Sequence, residues 1–341
     1  MRVAIDAREL HGRPTGVGRL VSGLLTAWET LPAAQAHDFV LCAPDRGAGG
    51  TAWEQLVLPA LVRRAGADVL FAPAYTGPLL APVPMLVAIH DVSFAAHPEW
   101  FGAREGVRRR VMTRLSAHRA ARVLTISRFS QREISARLGI DPGKIHVSYP
   151  GVTPPAPATA AHSDAEPLVL FVGSLFTRRH IPALIAGVAE LARHRSNVRL
   201  DIVGDNRSTP HIDFDRLIGA GGGTGRIRLR AYVDEATLAD LYGRARAFVF
   251  LSEYEGFGLT PVEALAAGVP VVVLDTPGAR EVCDDAACYV AAPDPALVRA
   301  ALERVLFDET ERARILTAAA RLLPRYSWRT CAEQVLDVLL A

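Results

Sequence analysis

The stretch Phe250-Leu-Ser-Glu-Tyr-Glu255-Gly-Phe-Gly-Leu-Thr-Pro-Val-Glu263-Ala-Leu265 decides how this chain is read. An apolar run ends at Leu251, a loop containing Gly256 and Gly258 follows, and a helix is predicted from Leu259 or Thr260, with Pro261 tolerated in its first turn. A buried strand feeding a helix through a glycine loop is the repeating unit of a parallel α/β sheet. The helix N-terminus offers N–H groups and the positive end of a dipole, which suits a diphosphate. Glycine at 256 and 258 lets a ligand approach the backbone closely. Glu255 stands in the loop and Glu263 about one turn into the helix. A carboxylate accepts hydrogen bonds from two neighbouring hydroxyls, on a hexose or on a ribose. As plain structure, the same two residues are a capping acid and a surface helix acid.

The alternation continues on both sides. Residues 3–5, 39–42, 69–71, 85–89 and 123–126 are apolar runs that read as buried strands, with helical stretches such as 17–30 and 105–121 between them. Residues 153–165 are rich in proline, alanine and small polar residues and read as a linker. Strand-like runs then resume at 168–172, 199–203, 227–229, 247–251, 269–274 and 288–290. Alternation of this kind demands parallel sheets with right-handed crossovers. The expectation is an α/β chain of two Rossmann-like, doubly wound domains, 1–158 and 159–325, facing a cleft at the carboxyl ends of their strands. Residues 326–341 form a C-terminal amphipathic helix. Its docking side is open from sequence, with the N-terminal domain as the candidate.

Composition narrows the chemistry. Among 341 residues half are apolar, 22% are charged and the net charge is +2, which suits a soluble globule and gives no reason to expect nucleic acid. Lys144 is the sole lysine and lies in the turn-like Asp141-Pro-Gly-Lys144. Pyridoxal chemistry, which needs a buried Schiff-base lysine, is therefore disfavoured. Cys42, Cys283, Cys288 and Cys331 form no paired C-x-x-C pattern, so reduced thiols in a cytoplasmic protein are expected and no metal site. There is no signal-peptide pattern and no apolar run long enough to span a bilayer, so any membrane contact is expected to be peripheral.

The 255–263 segment resembles the E-x7-E signature of glycosyltransferase family 4, retaining enzymes of the GT-B fold. Further matches follow in family order: Ile5-Asp-Ala-Arg8 with Thr15-Gly-Val-Gly-Arg19, Ala88-Ile-His90-Asp91, Phe171-Val-Gly-Ser174 and Gly268-Val-Pro270 among them. The likeness runs from about residue 1 to Trp328 and is nearest to bacterial mannosyltransferases of surface polysaccharide assembly. It implies that Glu255 contacts donor hydroxyls and Glu263 the ribose. Phe257, Gly258, Leu259 and Thr260 would then line the sugar and diphosphate. Gly16, Val17 and Gly18 would form a loop closing over the phosphates, and His90 would lie under the donor sugar. Arg178 and Arg179, where the family usually has Arg-Lys, would stabilise the leaving diphosphate. His180 stands at the family's asparagine position. Without the family, His90 is a histidine held by local hydrogen bonds, and Gly16-Val-Gly18 is a plain turn.

The resemblance implies transfer of a hexose from a nucleotide diphosphate sugar, GDP-mannose first, to a glycan or lipid-linked glycan. It implies no cofactor and no metal. Asp213-Phe-Asp215 resembles a metal-binding D-x-D but reads better as a helix start, and the 219–225 glycine run fails dinucleotide-loop spacing at Thr224. The arginines of 104–122 read as a solvated face, or as peripheral contact with an anionic membrane at the inner face of the plasma membrane. Two alternatives stay open: a sugar-nucleotide epimerase of the same fold, and a catalytically degenerate partner subunit that binds nucleotide sugar.

Overall fold

A computed structural model describes residues 1–11, 15–44, 50–154, 167–223 and 225–341. The expected boundary at 158/159, most of the linker and Thr224 lie outside the described residues. The chain divides into two compact units: Met1–Gly151 with Arg325–Ala341, and Val152–Pro324.

The first unit is built on β1 (Arg2–Asp6), β2 (Asp38–Cys42), β3 (Val69–Ala72), β4 (Met85–Ala88), β5 (Arg122–Thr125) and β6 (Ile145–Val147), all parallel, in the order β2-β1-β3-β4-β5-β6. Both faces of the sheet are buried, which is why its central strands are continuous apolar runs. Alternate residues serve alternate cores. Ala4, Leu70, Val87 and Val123 enter one, and Val3, Ile5, Phe71, Leu86 and Leu124 the other. The second core is closed by the helix Trp328–Leu340, through Cys331, Ala332, Val335, Leu336 and Leu339. Trp28 Nε1 donates to the Ala332 carbonyl at 3.0 Å. A Cβ on Gly23 would come 2.4 Å from Trp328, and one on Gly151 2.3 Å, so both glycines make room for that indole. Strand β6 is not among the runs read from sequence; it is three residues long with polar His146 at its centre.

The second unit carries β7 (Leu168–Val172), β8 (Arg199–Val203), β9 (Ile227–Arg230), β10 (Ala245–Phe250), β11 (Val271–Leu274) and β12 (Cys288–Val290), parallel, in the order β12-β11-β10-β7-β8-β9. Chain order reverses between β7 and β10, and in the first unit between β1 and β3. Crevices form at such reversals, outside the carboxyl ends of the strands. Beyond β7 and β8 the backbones nearly touch. Gly204 has φ +151, and a Cβ there would lie 1.9 Å from the Gly173 carbonyl oxygen.

Candidate active site

In the second unit, the residues singled out by sequence gather where β7 and β10 part. The loop after β7 passes through the turn Thr177–Arg179 to the helix Ile181–His194. The loop after β10 leads into the helix Leu259–Ala266. Two bonds tie these loops together. The Glu253 N–H donates to the Arg178 carbonyl at 3.0 Å, and the His180 imidazole donates to Glu253 Oε1 at 2.6 Å. His180 has φ +50, a left-handed backbone in which a non-glycine residue is strained.

Glu255 is held from two sides. Arg179 donates to its Oε1 from Nε at 2.9 Å and approaches the same oxygen with Nη2 at 2.8 Å; Ser252 Oγ donates to it at 2.9 Å. Arg178 Nε stands 4.0 Å from that oxygen. Oε2 takes no hydrogen bond among the described residues. Arg179 is itself confined: Nη1 donates to the Ser174 carbonyl at 2.9 Å, and its guanidinium lies over the rings of Phe250 and Phe176. Glycine at 173 is required for this arrangement, since a Cβ would stand 2.6 Å from Nη1. The diphosphate role expected for Arg179 therefore meets a guanidinium already committed to Glu255. Arg178 lies over Phe176, 4.2 Å from the ring centre.

The helix Leu259–Ala266 opens at Gly258, φ +83, with no side-chain cap, so its first N–H groups are not taken by a capping side chain. Pro261 fits its first turn because the missing N–H costs nothing there. Glu263 accepts from Tyr242 Oη at 3.3 Å. A shallow pocket, open to solvent, is lined in part by Ser252, Glu255, Phe257, Gly258, Pro261 and Thr276. Leu259 and Thr260, which begin the helix, are not among the residues that line the pocket. Buried Cys283 borders the pocket, but burial pushes its thiol up to about 12, so it is no thiolate nucleophile at neutral pH.

In the first unit, His90 follows β4 and is buried. Its Nε2 lies 2.7 Å from the Pro73 carbonyl, which can only accept, so Nε2 carries the proton and the neutral ring keeps its lone pair on Nδ1. Burial lowers its pKa below the usual 6.5, which favours that neutral form. Tyr75, with φ +66, stands edge-on to His90 and donates to Asp91 Oδ2 at 2.9 Å. Sequence reasoning missed Tyr75, because a strained tyrosine in Pro73-Ala-Tyr-Thr76 leaves no pattern. It also missed Ser252, whose position just past a strand end is a signal that could have been used.

Gly16, Val17 and Gly18, expected as loop residues, are helical. They are the first turn of the helix Gly16–Thr30: Thr15 Oγ1 accepts from the Gly18 N–H at 2.9 Å, and a Cβ on Gly18 would lie 2.4 Å from the Glu9 carbonyl oxygen. Residues 12–14, just before, lie outside the described residues. Beside this turn Arg8 is locked between two buried acids, with Nη2 2.7 Å from both Asp6 Oδ2 and Glu54 Oε2. Asp213 caps the helix Phe214–Ala220 by accepting from the Arg216 N–H at 2.9 Å, as its helix-start reading expects. Lys144 sits in a surface turn and donates to the His118 carbonyl.

Residues 155–322 match the family model described as glycosyl transferases group 1, and residues 24–155 the one described as Glycosyltransferase Family 4. A D-inositol 3-phosphate glycosyltransferase of Xylanimonas cellulosilytica is 31% identical over 64% of this chain and 57% of its own. The O-antigen chain mannosyltransferase B of Escherichia coli is 26% identical over 74% of this chain and 69% of its own. The chain spans 62% and 57% of the lengths of the first two curated relatives it matches. Among solved structures, Anabaena HepE in complex with UDP and glucose superposes with a TM-score of 0.75 at 18% identity, covering 100% of this chain and 99% of the other. That likeness speaks for the fold. Two adjoining family models spanning nearly the whole chain, and two parallel six-stranded sheets with the E-x7-E segment at the reversal of the second, show that the chain belongs to glycosyltransferase family 4, of the GT-B fold.

Proposed function

We propose that the protein transfers a hexose, mannose first, from a nucleotide diphosphate sugar to a hydroxyl of a glycan or lipid-linked glycan of surface polysaccharide, retaining the anomeric configuration. The observation that carries this reading is Glu255, which is fixed through Oε1 by Arg179 and Ser252 and leaves Oε2 for sugar hydroxyls beside a helix N-terminus with no side-chain cap. The mannosyltransferases among its relatives support mannose, and GDP-mannose is the donor proposed to carry it.

The C1–O bond to the β-phosphate breaks and its electron pair passes to the phosphate oxygen. The acceptor oxygen bonds to C1 on the same face, and its proton moves to that phosphate oxygen. Arg178 and the N–H groups of the helix Leu259–Ala266 stabilise the charge that develops. Glu263 holds the ribose. His90, neutral and with Nδ1 as acceptor, receives a donor-sugar hydroxyl rather than acting as an acid. The protein's work is positioning and charge stabilisation, with no metal or cofactor. The acceptor meets the protein at the inner face of the plasma membrane, where the arginines of 104–122 lean on anionic lipid.

A thermal-shift panel of GDP, UDP, dTDP and ADP sugars tests the donor, because a bound donor raises the midpoint. GDP-mannose should give the largest shift, and an equal response to all four would sink the assignment. Transfer should persist in EDTA. A new sugar nucleotide formed without acceptor would instead identify an epimerase.

A further inference from the structure

Among the described residues three that are not glycine take a positive φ: Tyr75, His180 and Asp284. Tyr75 is the aromatic one, and a bulky side chain at φ +66 is a true outlier. Such strain persists where the surroundings over-determine it. Here they hold Tyr75 at three points. Its N–H donates to the Ala88 carbonyl at 2.9 Å, at the end of β4. Its hydroxyl donates to Asp91 Oδ2 at 2.9 Å, and Asp91 Oδ1 in turn accepts from the Ser93 N–H at 2.8 Å. Its ring stands edge-on to buried Phe94, with centroids 6.5 Å apart.

These contacts converge on His90. Pro73, two residues before Tyr75, supplies the carbonyl that accepts from His90 Nε2 at 2.7 Å. The Tyr75 ring crosses the imidazole at 79°, with centroids 5.2 Å apart. Ser130 Oγ donates to the His90 carbonyl at 2.8 Å and fixes the backbone beneath it. One short segment, Pro73 to Tyr75, therefore sets both the tautomer of His90 and the plane of its ring. A tyrosine that only filled the core would have no need of a left-handed backbone; Phe94 fills the same core from a helix.

We propose that Tyr75 is a positioning residue for transfer: its ring, locked by the hydroxyl bond to Asp91, holds the His90 imidazole in one tautomer and one plane, with Nδ1 kept for the donor sugar. The proposal rests on the role given to His90 above, and two readouts separate them.

The first is the long-range proton–nitrogen spectrum of the histidine rings, which reports the His90 tautomer with no donor present; His90→Gln assigns the signal. The second is transfer from GDP-mannose to an alkyl mannoside. Tyr75→Gly accepts the positive φ without strain and removes the ring. Tyr75→Phe keeps the ring and removes the hydroxyl. The wild-type chain should show His90 protonated on Nε2 alone. Tyr75→Gly should lose that single pattern and lower kcat about a hundredfold, with the donor KM within about threefold of wild type. Tyr75→Phe should cost about tenfold in kcat. Tryptophan fluorescence should stay as in the wild type for both. In a His90→Gln background, Tyr75→Gly should lower kcat by no more than about twofold further, because Tyr75 acts through His90. A wild-type His90 signal in Tyr75→Gly, or losses that multiply in the double variant, would overturn the inference. An altered signal with kcat intact would leave the hold of Tyr75 on His90 standing and remove His90 from the chemistry. No transfer by the wild-type chain, with the spectra as expected, would count against the glycosyltransferase reading alone.

Discussion

The two units share an architecture and differ in what their strand ends carry. In the first, the chain reverses between β1 and β3, and its edge holds Asp6, Glu54 and Asp91, with Arg8 consumed by two buried carboxylates. In the second, the reversal lies between β7 and β10, and its edge presents Arg178, Arg179 and the start of a helix lacking a side-chain cap around Glu255. Sheets of similar construction are thus specialised by the side chains at their carboxyl ends.

The sharpest way to break this comparison is at the second edge. Glu255→Gln should lower kcat about a thousandfold, on the order of 4 kcal/mol of transition-state stabilisation, while donor binding by thermal shift survives. A kcat within about threefold of wild type would remove Glu255 from the chemistry.

The independence of the units is tested next. All four tryptophans, Trp28, Trp53, Trp100 and Trp328, belong to the first unit, so their fluorescence reports it alone. Trp328→Ala should empty the space made by Gly23 and Gly151 and cost about 3 kcal/mol, read from tryptophan fluorescence in urea. Gly204→Ala, whose Cβ would strike the Gly173 carbonyl, should destabilise the second unit by about 2–3 kcal/mol. That loss should appear in circular dichroism, with the fluorescence transition unmoved.

A smaller effect separates the two arginines. Arg179→Lys keeps the charge but cannot span Glu255 and the Ser174 carbonyl with one planar group. It should cost about tenfold in kcat, or about 1.4 kcal/mol, with KM nearly unchanged. A rise in KM instead would return Arg179 to the diphosphate.

The smallest effect belongs to the first unit and to pH. Burial keeps the His90 pKa below 6.5, so the unfolded chain takes up a proton there before the folded one does. The stabilising contribution is complete above pH 6.5 and lost as pH falls through the folded value, at up to about 1.4 kcal/mol per pH unit. His90→Gln should flatten that acid limb in tryptophan-monitored unfolding. Asp6 works in the opposite direction. Burial raises its carboxyl above 3.8, so its contribution is full below that value and lost as pH rises through the folded one.

Most of both sheets could be read from apolar runs, because strands buried on both faces lose their polar alternation. The short edge strand β6 escaped for want of such a run. In the site, Glu255 and Glu263 stood out by their place around a glycine loop, the arginine pair by its resemblance to the family's motif, and Asp213 by its capping position. The pairing of Arg179 with Glu255 did not, because the two residues are 76 positions apart and meet only once β7 and β10 lie side by side. Gly16 to Gly18 read as a loop and fold as a helix start for a local reason. The same glycines serve a loop or a first helical turn, and the Glu9 carbonyl that demands glycine at 18 is a contact the sequence does not display.

The sequence by itself determined the α/β alternation, which follows from local periodicity, and the family, through the resemblance that the E-x7-E segment and the motifs around it carry. Tertiary structure decided which sheet the Trp328–Leu340 helix completes, which oxygen of Glu255 remains for a ligand, and which ring stands against His90. Each of those depends on residues distant along the chain being brought within a few ångströms, and no local pattern records that.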